Sequence, residues 1–296
     1  MSSKRLPKPS RKMFAFARKL LRDALIVSLF LFVLAGNAKA QEDSSITLGV
    51  AAASLLPVAV MGGALYQNYV TFWKDGEDVP FHFSSDPPYA MHNDKLGHAW
   101  FAATSADIFR LSYLHAGLKA STAAWLGSSV ALTTELLVEI ADGYRSGKPY
   151  FGFSPGDAIA DVIGASLPLL RHYAGDNYVP QYKISFWPSD ALHAYSSIID
   201  DNESQFFWLS FQIPSAPKWL NVAVGHGVEN IDEAAWLPER QGKQRATQLY
   251  LAPDLDLTGL PIKGKAWDII SQILSHIRLP LPSLQLSPQV KLHWLR

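Results

Sequence analysis

The sequence contains no cysteine. That absence excludes a disulfide-stapled scaffold, a thiolate-ligated zinc or iron–sulfur centre, and thiol redox chemistry. Internal repeats and low-complexity tracts are also missing, which removes solenoid and fibrous classes. No Gly-x-Ser-x-Gly elbow, Walker loop or dinucleotide glycine pattern occurs, and neither a His-Glu-x-x-His nor a Glu-x-x-His pair is present. Excess charge is missing too, with 26 basic and 26 acidic side chains, but the balance is uneven along the chain. Nine of the basic residues and one acid fall within the first 40 positions, leaving 17 basic against 25 acidic groups, about −8, for the rest. Such a surface does not suit nucleic acid. What is abundant is apolar material: 48 % hydrophobic and 12 % aromatic residues over 296 positions, enough for one large domain or two small ones.

The first 40 residues have the order of a secretory signal. Lys4 to Arg22 carries eight positive charges and no negative one, the apolar run Ala24 to Ala35 follows, and Ala38-Lys39-Ala40 supplies an Ala-x-Ala cleavage site before Gln41. The alternative, an uncleaved anchor, meets a short apolar run. Export agrees with the lack of thiols. From Ser44 to Trp73 no residue is charged, and Ile46 to Tyr69 is long enough to cross a bilayer. Pro57 and Gly62-Gly63 interrupt it, so a transmembrane helix and a buried or membrane-lying helix both fit.

Beyond a polar, Pro-rich connector from Lys74 to Asn93, three segments have helical apolar spacing: Lys95 to Leu114, Leu118 to Ala141, and Pro155 to His172. After Asn177 the pattern turns to short aromatic and β-branched runs. Strands are expected at Tyr182 to Trp187, Phe206 to Ile213, Leu220 to Val224, Thr247 to Leu251 and Val290 to Trp294, with polar loops at Asp200 to Ser204 and Asp232 to Gln244. Phe206, Phe207 and Trp208 are expected to fill the sheet's core. Trp267, Ile270, Ile273, Leu274 and Ile277 mark one late amphipathic helix. The expected fold is therefore α+β, an N-terminal helical bundle with a C-terminal, mostly antiparallel sheet and that late helix. In segments this reads 1–40 signal, 41–93 apolar helix and connector, 94–176 bundle and 177–296 strand-rich region.

Chemistry concentrates in the bundle. Asp94 and His98 stand one helical turn apart, Glu135, Glu139 and Asp142 share one face of the next helix, and Asp157 and Asp161 repeat the spacing on the third. If these faces meet, six carboxylates, one imidazole and Lys95 converge where water is scarce. Such carboxylates cannot all stay ionised without a metal, a basic partner or shared protons. The candidate metal ligands are His98, Asp94, Glu139, Asp142, Asp157 and Asp161, and the candidate catalytic groups are His98, Asp161, Asp94 and Glu139. With a single His and mostly oxygen donors, a divalent cation of the Mg, Mn or Ca type is expected rather than Zn. Each residue also has a plainer reading. Asp94 is placed as a helix N-cap, Ser154-Pro155-Gly156-Asp157 has capping-box form, Glu135 can face water, and Glu139 with Asp142 can pair with Arg145. Asp161 sits mid-helix among small apolar residues and needs a partner, and His98 can be a core histidine. Downstream, Gly225-His226-Gly227 reads as a turn or bulge, and Asp254-Leu255-Asp256 as a strand with both carboxylates on its solvated face.

The motifs Asp94-Lys95-Leu96-Gly97-His98, Glu139-Ile140-Ala141-Asp142-Gly143, Gly152-Phe153-Ser154-Pro155-Gly156-Asp157 and Asp161-Val162-Ile163-Gly164-Ala165-Ser166 resemble the YfiM-type domain of unknown function. That family is described as predicted periplasmic lipoproteins and is itself similar, around the first motif, to VanZ-like membrane proteins. Downstream stretches such as Gln205-Phe206-Phe207-Trp208-Leu209-Ser210 and Tyr250-Leu251-Ala252-Pro253-Asp254 extend the resemblance to about residues 45 to 295. It implies a Gram-negative envelope protein and supplies no reaction. It departs from the pattern in one respect: without a cysteine after the apolar run, lipid attachment there is impossible. The sequence thus points to an exported envelope protein, periplasmic or membrane-associated. Its His/carboxylate cluster would bind a divalent cation or act on an envelope lipid or cell-wall molecule. The alternative is a non-catalytic scaffold or assembly factor whose charges are structural. Lipid or another envelope protein is the expected partner, with membrane contact and no nucleic acid.

Overall fold

The computed structural model describes residues 44–74, 76–86, 89–147, 151–175, 178–189, 201–231 and 242–295. The expected signal at 1–40 and most of the loop expected from Asp232 to Gln244 lie outside these residues.

Helix α1 (Ser44–Asn68) continues through a π-turn to Trp73, and α2 (Asn93–His115), α3 (Ala120–Asp142) and α4 (Pro155–Ala174) complete the bundle. α2 packs against both α3 and α4, which also touch each other. The contact faces are built from small residues: Ala102, Ala106, Ala123, Ala124 and Ala131 are fully buried. The closest approach is at Gly164 in α4, where an added Cβ would stand 2.1 Å from the carbonyl oxygen of Ala99. Only glycine lets the two backbones meet there, and this contact sets the spacing between the helices that carry His98 and Asp161. α1 lies against the bundle through Val50 beside Ala106 and Phe109, and through Met61, Leu65 and Trp73 beside Val138 and Phe151. By length and composition Leu48–Asn68 and Ala120–Asp142 are both long and apolar enough to cross a membrane. α3, however, is a core helix with buried Glu135 and Glu139.

The connector does more than link elements. Its β1 (Glu77–Asp78) pairs antiparallel with β2 (Arg145–Ser146), and Phe83 bridges to Phe153, so the chain straps across the ends of α3 and α4. Phe81, Phe83, Tyr144 and Phe153 stack mostly edge to face along that strap.

The C-terminal half is a six-stranded antiparallel meander in chain order: β3 (Gln181–Phe186), β4 (Gln205–Gln212), β5 (Leu220–Glu229), β6 (Ala246–Leu255), β7 (Ser283–Ser287) and β8 (Lys291–His293). The α+β architecture expected from hydrophobic periodicity is the one observed. β7 had not been expected, because Pro280 and Pro282 read as a terminator while Leu284 and Leu286 begin a new alternation. Gly225-His226-Gly227 is not a turn: β5 runs straight through it. A Cβ at Gly225 would lie 2.5 Å from the Trp208 ring and one at Gly227 2.5 Å from Phe206, so the glycines make room for aromatic rings of the neighbouring strand. Within the polar loop expected at Asp200 to Ser204, Asn202–Ser204 form a buried 3₁₀ turn, with Ile231 N donating to Glu203 Oε1 at 2.9 Å.

The meander's inner face holds Phe206, Trp208 and Tyr250, all essentially sealed, as the aromatic run predicted. It also holds charge. Asp254 is fully buried, 2.6 Å from Lys183 Nζ, and accepts from Ser210 Oγ at 2.6 Å. Arg278 lies over the Trp208 ring at 4.1 Å. The expectation that Asp254 and Asp256 share a solvated face is therefore corrected. Asp254 points into this interior, and the strand ends at Leu255, after which Asp256 caps the turn at Thr258. The late helix α5 (Lys265–Leu274) ends short of Ile277, which forms a parallel bridge to Ile184 on β3. Sheet and bundle join where Tyr182, Ile184 and Phe207 pack on Ala99 and Ala103, and where Asn93 Nδ2 donates to Asn202 O at 3.1 Å. That second bond anchors the start of α2 to the sheet.

Candidate metal centre

Three helix ends build the cluster. α2 begins at Asn93, with His92 before it in the left-handed region making no side-chain cap bond. Asp94 is therefore not the expected N-cap. It lies in the first turn, with one oxygen 3.8 Å from Lys95 Nζ and the other buried without a hydrogen bond. α4 starts as the sequence implies: Ser154 Oγ accepts from Asp157 N at 3.0 Å, with Pro155 in the first helical position. The same serine's backbone N–H donates to Glu139 Oε2 at 3.0 Å, which ties the end of α3 to the start of α4.

The ionisable groups divide into three sets. At the centre, His98 Nδ1 lies 3.2 Å from Asp161 Oδ1 and 3.8 Å from Glu139 Oε1. One ligand atom from each of these three side chains falls within 4.8 Å of the others. Asp161 is 0 % exposed and Glu139 2 %, whereas the His98 side chain is 26 % exposed, so of the three only the imidazole touches solvent appreciably. A second set surrounds Lys95, whose ammonium is 2.6 Å from Asp86 and 3.0 Å from Asp157. Asp86 also accepts from Ser154 Oγ and from Gly156 N. Thirdly, Asp142 accepts from Trp73 Nε1 in the π-turn after α1. Arg145 pairs with Asp78 at 2.8 Å, and its charge also acts on Asp142. Glu135, also read as solvent-facing, is buried behind the central set with Oε1 making no hydrogen bond.

The electrostatics follow from this packing. Burial raises Glu139 to about 8, reinforced by the charges of Asp157 and Asp142 and opposed by His98. Burial, with Asp161 and Glu139 nearby, pushes Glu135 well above its usual range. Asp142 rises to about 7 by burial, although the Trp73 bond and His98 pull it back, and Asp94 rises to about 6 by burial beside Asp157. Asp161 is raised by burial against the pull of His98. For His98, burial alone would favour the neutral ring. The bond to Asp161 and the charges of Asp157, Asp161 and Glu139 outweigh it and hold the imidazole well above its ordinary value. The set is thus a pocket of negative potential that holds protons for want of a better counter-charge.

Chemically, one imidazole and two carboxylates converging at this distance supply a mixed N/O donor set. Asp161 Oδ2, buried with no hydrogen bond, is an open acceptor within it. Asp86 was missed by sequence reading, since Ser84-Ser85-Asp86 in a Pro-rich connector carries no periodic signal. Trp73, at the end of the uncharged stretch, carries no sequence signal for a carboxylate partner.

A family model described as "Predicted periplasmic lipoprotein (DUF2279)" matches residues 83–173. That span contains Asp86, α2, α3 and α4, hence all of the His98 and Lys95 sets, and stops before the sheet. Its description supports an exported protein, while this sequence holds no cysteine to carry a lipid. No curated protein and no solved structure matches the chain.

Proposed function

We propose that this is an exported cell-envelope protein whose bundle binds a divalent cation through His98, Glu139 and Asp161. The observation that carries the proposal is the meeting of these three donor atoms, from three different helices, where buried carboxylates face a partly exposed imidazole. Removing carboxylates from water is costly unless a cation or protons neutralise them, and a Mg, Mn or Ca type ion suits a set richer in oxygen than nitrogen. His98, Glu139 and Asp161 would hold such an ion, and the ion would supply an acidified water at the exposed side of the imidazole. Hydrolysis of an envelope lipid or cell-wall molecule is the reaction class this arrangement serves. Asp94, Asp142 and Asp157 support the field of the centre rather than ligate. The YfiM-like and VanZ-like assignments, finer than the matched family, belong to this proposal.

A second reading is favoured by the Lys95 set, where Asp86 and Asp157 already neutralise the ammonium and Ser154 fastens two helices. On that reading the whole cluster sets helix register in an envelope scaffold. Metal analysis and Mn²⁺ titration of the protein purified from the cell envelope separate the two. A retained or titratable ion, lost in Asp161→Asn and Glu139→Gln with folding intact, is expected. A protein that neither retains an ion nor takes up Mn²⁺ at millimolar concentration is a scaffold.

A further inference from the structure

The C-terminal sheet pairs a mixed inner face, where polar groups sit beside Phe206, Trp208 and Tyr250, with an apolar outer one. Its inner face carries Lys183, Asp254, Ser210 and Asn221, while the outer face of β4 to β8 carries no Asp, Glu, Lys or Arg. Strand register aligns Leu209, Val224, Leu251, Leu284 and Leu292 in one row across five strands. These five side chains are between 37 % and 53 % exposed. At the usual strand spacing the row is about 19 Å wide. A sheet facing water on one side normally shows the opposite alternation.

Helix α5 is inverted in the same sense. Ser271 is buried at 2 % and the following Ser275 and His276 are buried, while Ile269, Ile270, Ile273 and Ile277 are 42 % to 48 % exposed. The helix has the amphipathic spacing expected of it, but its apolar stripe points away from the protein. The Ile184–Ile277 bridge joins the stripe to the sheet. Ile184 is opposite Phe207 in register and shares the face of Leu209, but Ile184 and Phe207 are covered by Ala99 and Ala103 of the bundle, so the exposed band starts at Leu209 and the stripe of α5 lies beside that contact.

We propose that this outer sheet face together with α5 is a lipid-binding surface that lays the protein on an anionic bilayer. Charge at the ends of the apolar band suits that occupant. Lys218 precedes β5 at one end and Lys243 precedes β6 at the other, both exposed and without an ion pair among the described residues. Each end also carries one acid, Asp256 held by Thr258 and Glu229 by Gln248, neither in an ion pair with the lysine beside it. A charge-free apolar band between free lysines matches hydrocarbon flanked by anionic headgroups.

The cysteine-free chain allows a direct test. Leu251→Cys and Leu284→Cys in the row, with Thr258→Cys as a reference off it, are purified from the envelope and labelled with an environment-sensitive fluorophore. They are then mixed with phosphatidylethanolamine–phosphatidylglycerol vesicles. Emission at positions 251 and 284 shifts to shorter wavelength and is quenched by doxyl groups on the lipid acyl chains, while position 258 does not respond. The response weakens on phosphatidylcholine vesicles; an equal response there overturns the role of Lys218 and Lys243. No lipid-dependent change at either row position overturns the proposal. So does a blue shift that is present without vesicles and grows with protein concentration, because it assigns the face to a second copy. Loss of the cation site in Asp161→Asn leaves this readout unchanged, so the two proposals fail independently.

Discussion

Raising the pH of the metal-free protein from 5 to 8 destabilises it, and a divalent cation restores stability at pH 8 far more than at pH 5. The sign comes from Glu139. In the unfolded chain it ionises near 4.5, and in the folded protein near 8. Between those values unfolding releases a proton, so stability falls as pH rises through the window. At about 1.4 kcal/mol per unit, the full gap corresponds to on the order of 5 kcal/mol, most of it lost between pH 5 and 8. Asp94 and Asp142, raised to about 6 and about 7, act in the same direction over the lower part of the range. His98 does too, because the stability its raised value confers is present below the ordinary imidazole range and lost as pH climbs through the folded value. A cation displaces these protons, so its stabilisation grows as they become easier to remove. The assay is thermal denaturation at pH 5 and pH 8, with and without Mn²⁺. A loss of about 4 kcal/mol corresponds to a fall in Tm on the order of 10 °C for a domain of this size. In Glu139→Gln the amide keeps the bond from Ser154 N, the fall shrinks, and the Mn²⁺ effect disappears. A wild-type Tm that is flat from pH 5 to 8, or a Mn²⁺ increment equal at both values, refutes the reasoning.

Three further outcomes are expected. Gly164→Val drives side-chain carbon into the Ala99 carbonyl and destabilises by more than about 3 kcal/mol, read as the urea midpoint, whereas Ser166→Ala on the same helix changes little. Lys183→Met removes the 2.6 Å partner of Asp254 and leaves it only Arg278 at 3.8 Å, at a cost of about 3 to 5 kcal/mol, and the double variant with Asp254→Leu recovers most of that in a double-mutant cycle. Asp86→Asn weakens the hold on Lys95 and on the start of α4. The expected loss is about 1 to 2 kcal/mol in chemical denaturation with Mn²⁺ affinity nearly unchanged; a large affinity loss would move Asp86 into the metal centre.

The three bundle helices and their acidic turns were readable because both depend on one period. Apolar residues every three to four positions define a helix, and the same spacing puts Glu135 and Glu139, or Asp157 and Asp161, on one side of it. Ser154 was readable as a cap because capping is a contact between residues three apart. Five of the six strands of the large sheet, and the burial of Phe206, Phe207 and Trp208, follow from composition and alternation in the same way.

What spacing could not convey is which polar face turns inward and what meets it. Glu135 and Asp254 look like surface carboxylates, yet each is buried because a neighbouring element from far along the chain covers it. Asp86 joins the site only because the strap across α3 and α4 brings a loop to Lys95, and Asp142 is held by a tryptophan 69 residues away. Gly225 and Gly227 resemble a turn until the rings of β4 are laid over them. Local patterns are set by bonds and contacts within a helical turn or a strand pair, and those the chain carries in its own order. Burial, charge pairing and the outward aim of α5's isoleucines are properties of distant segments meeting, so they exist only once the whole chain has folded.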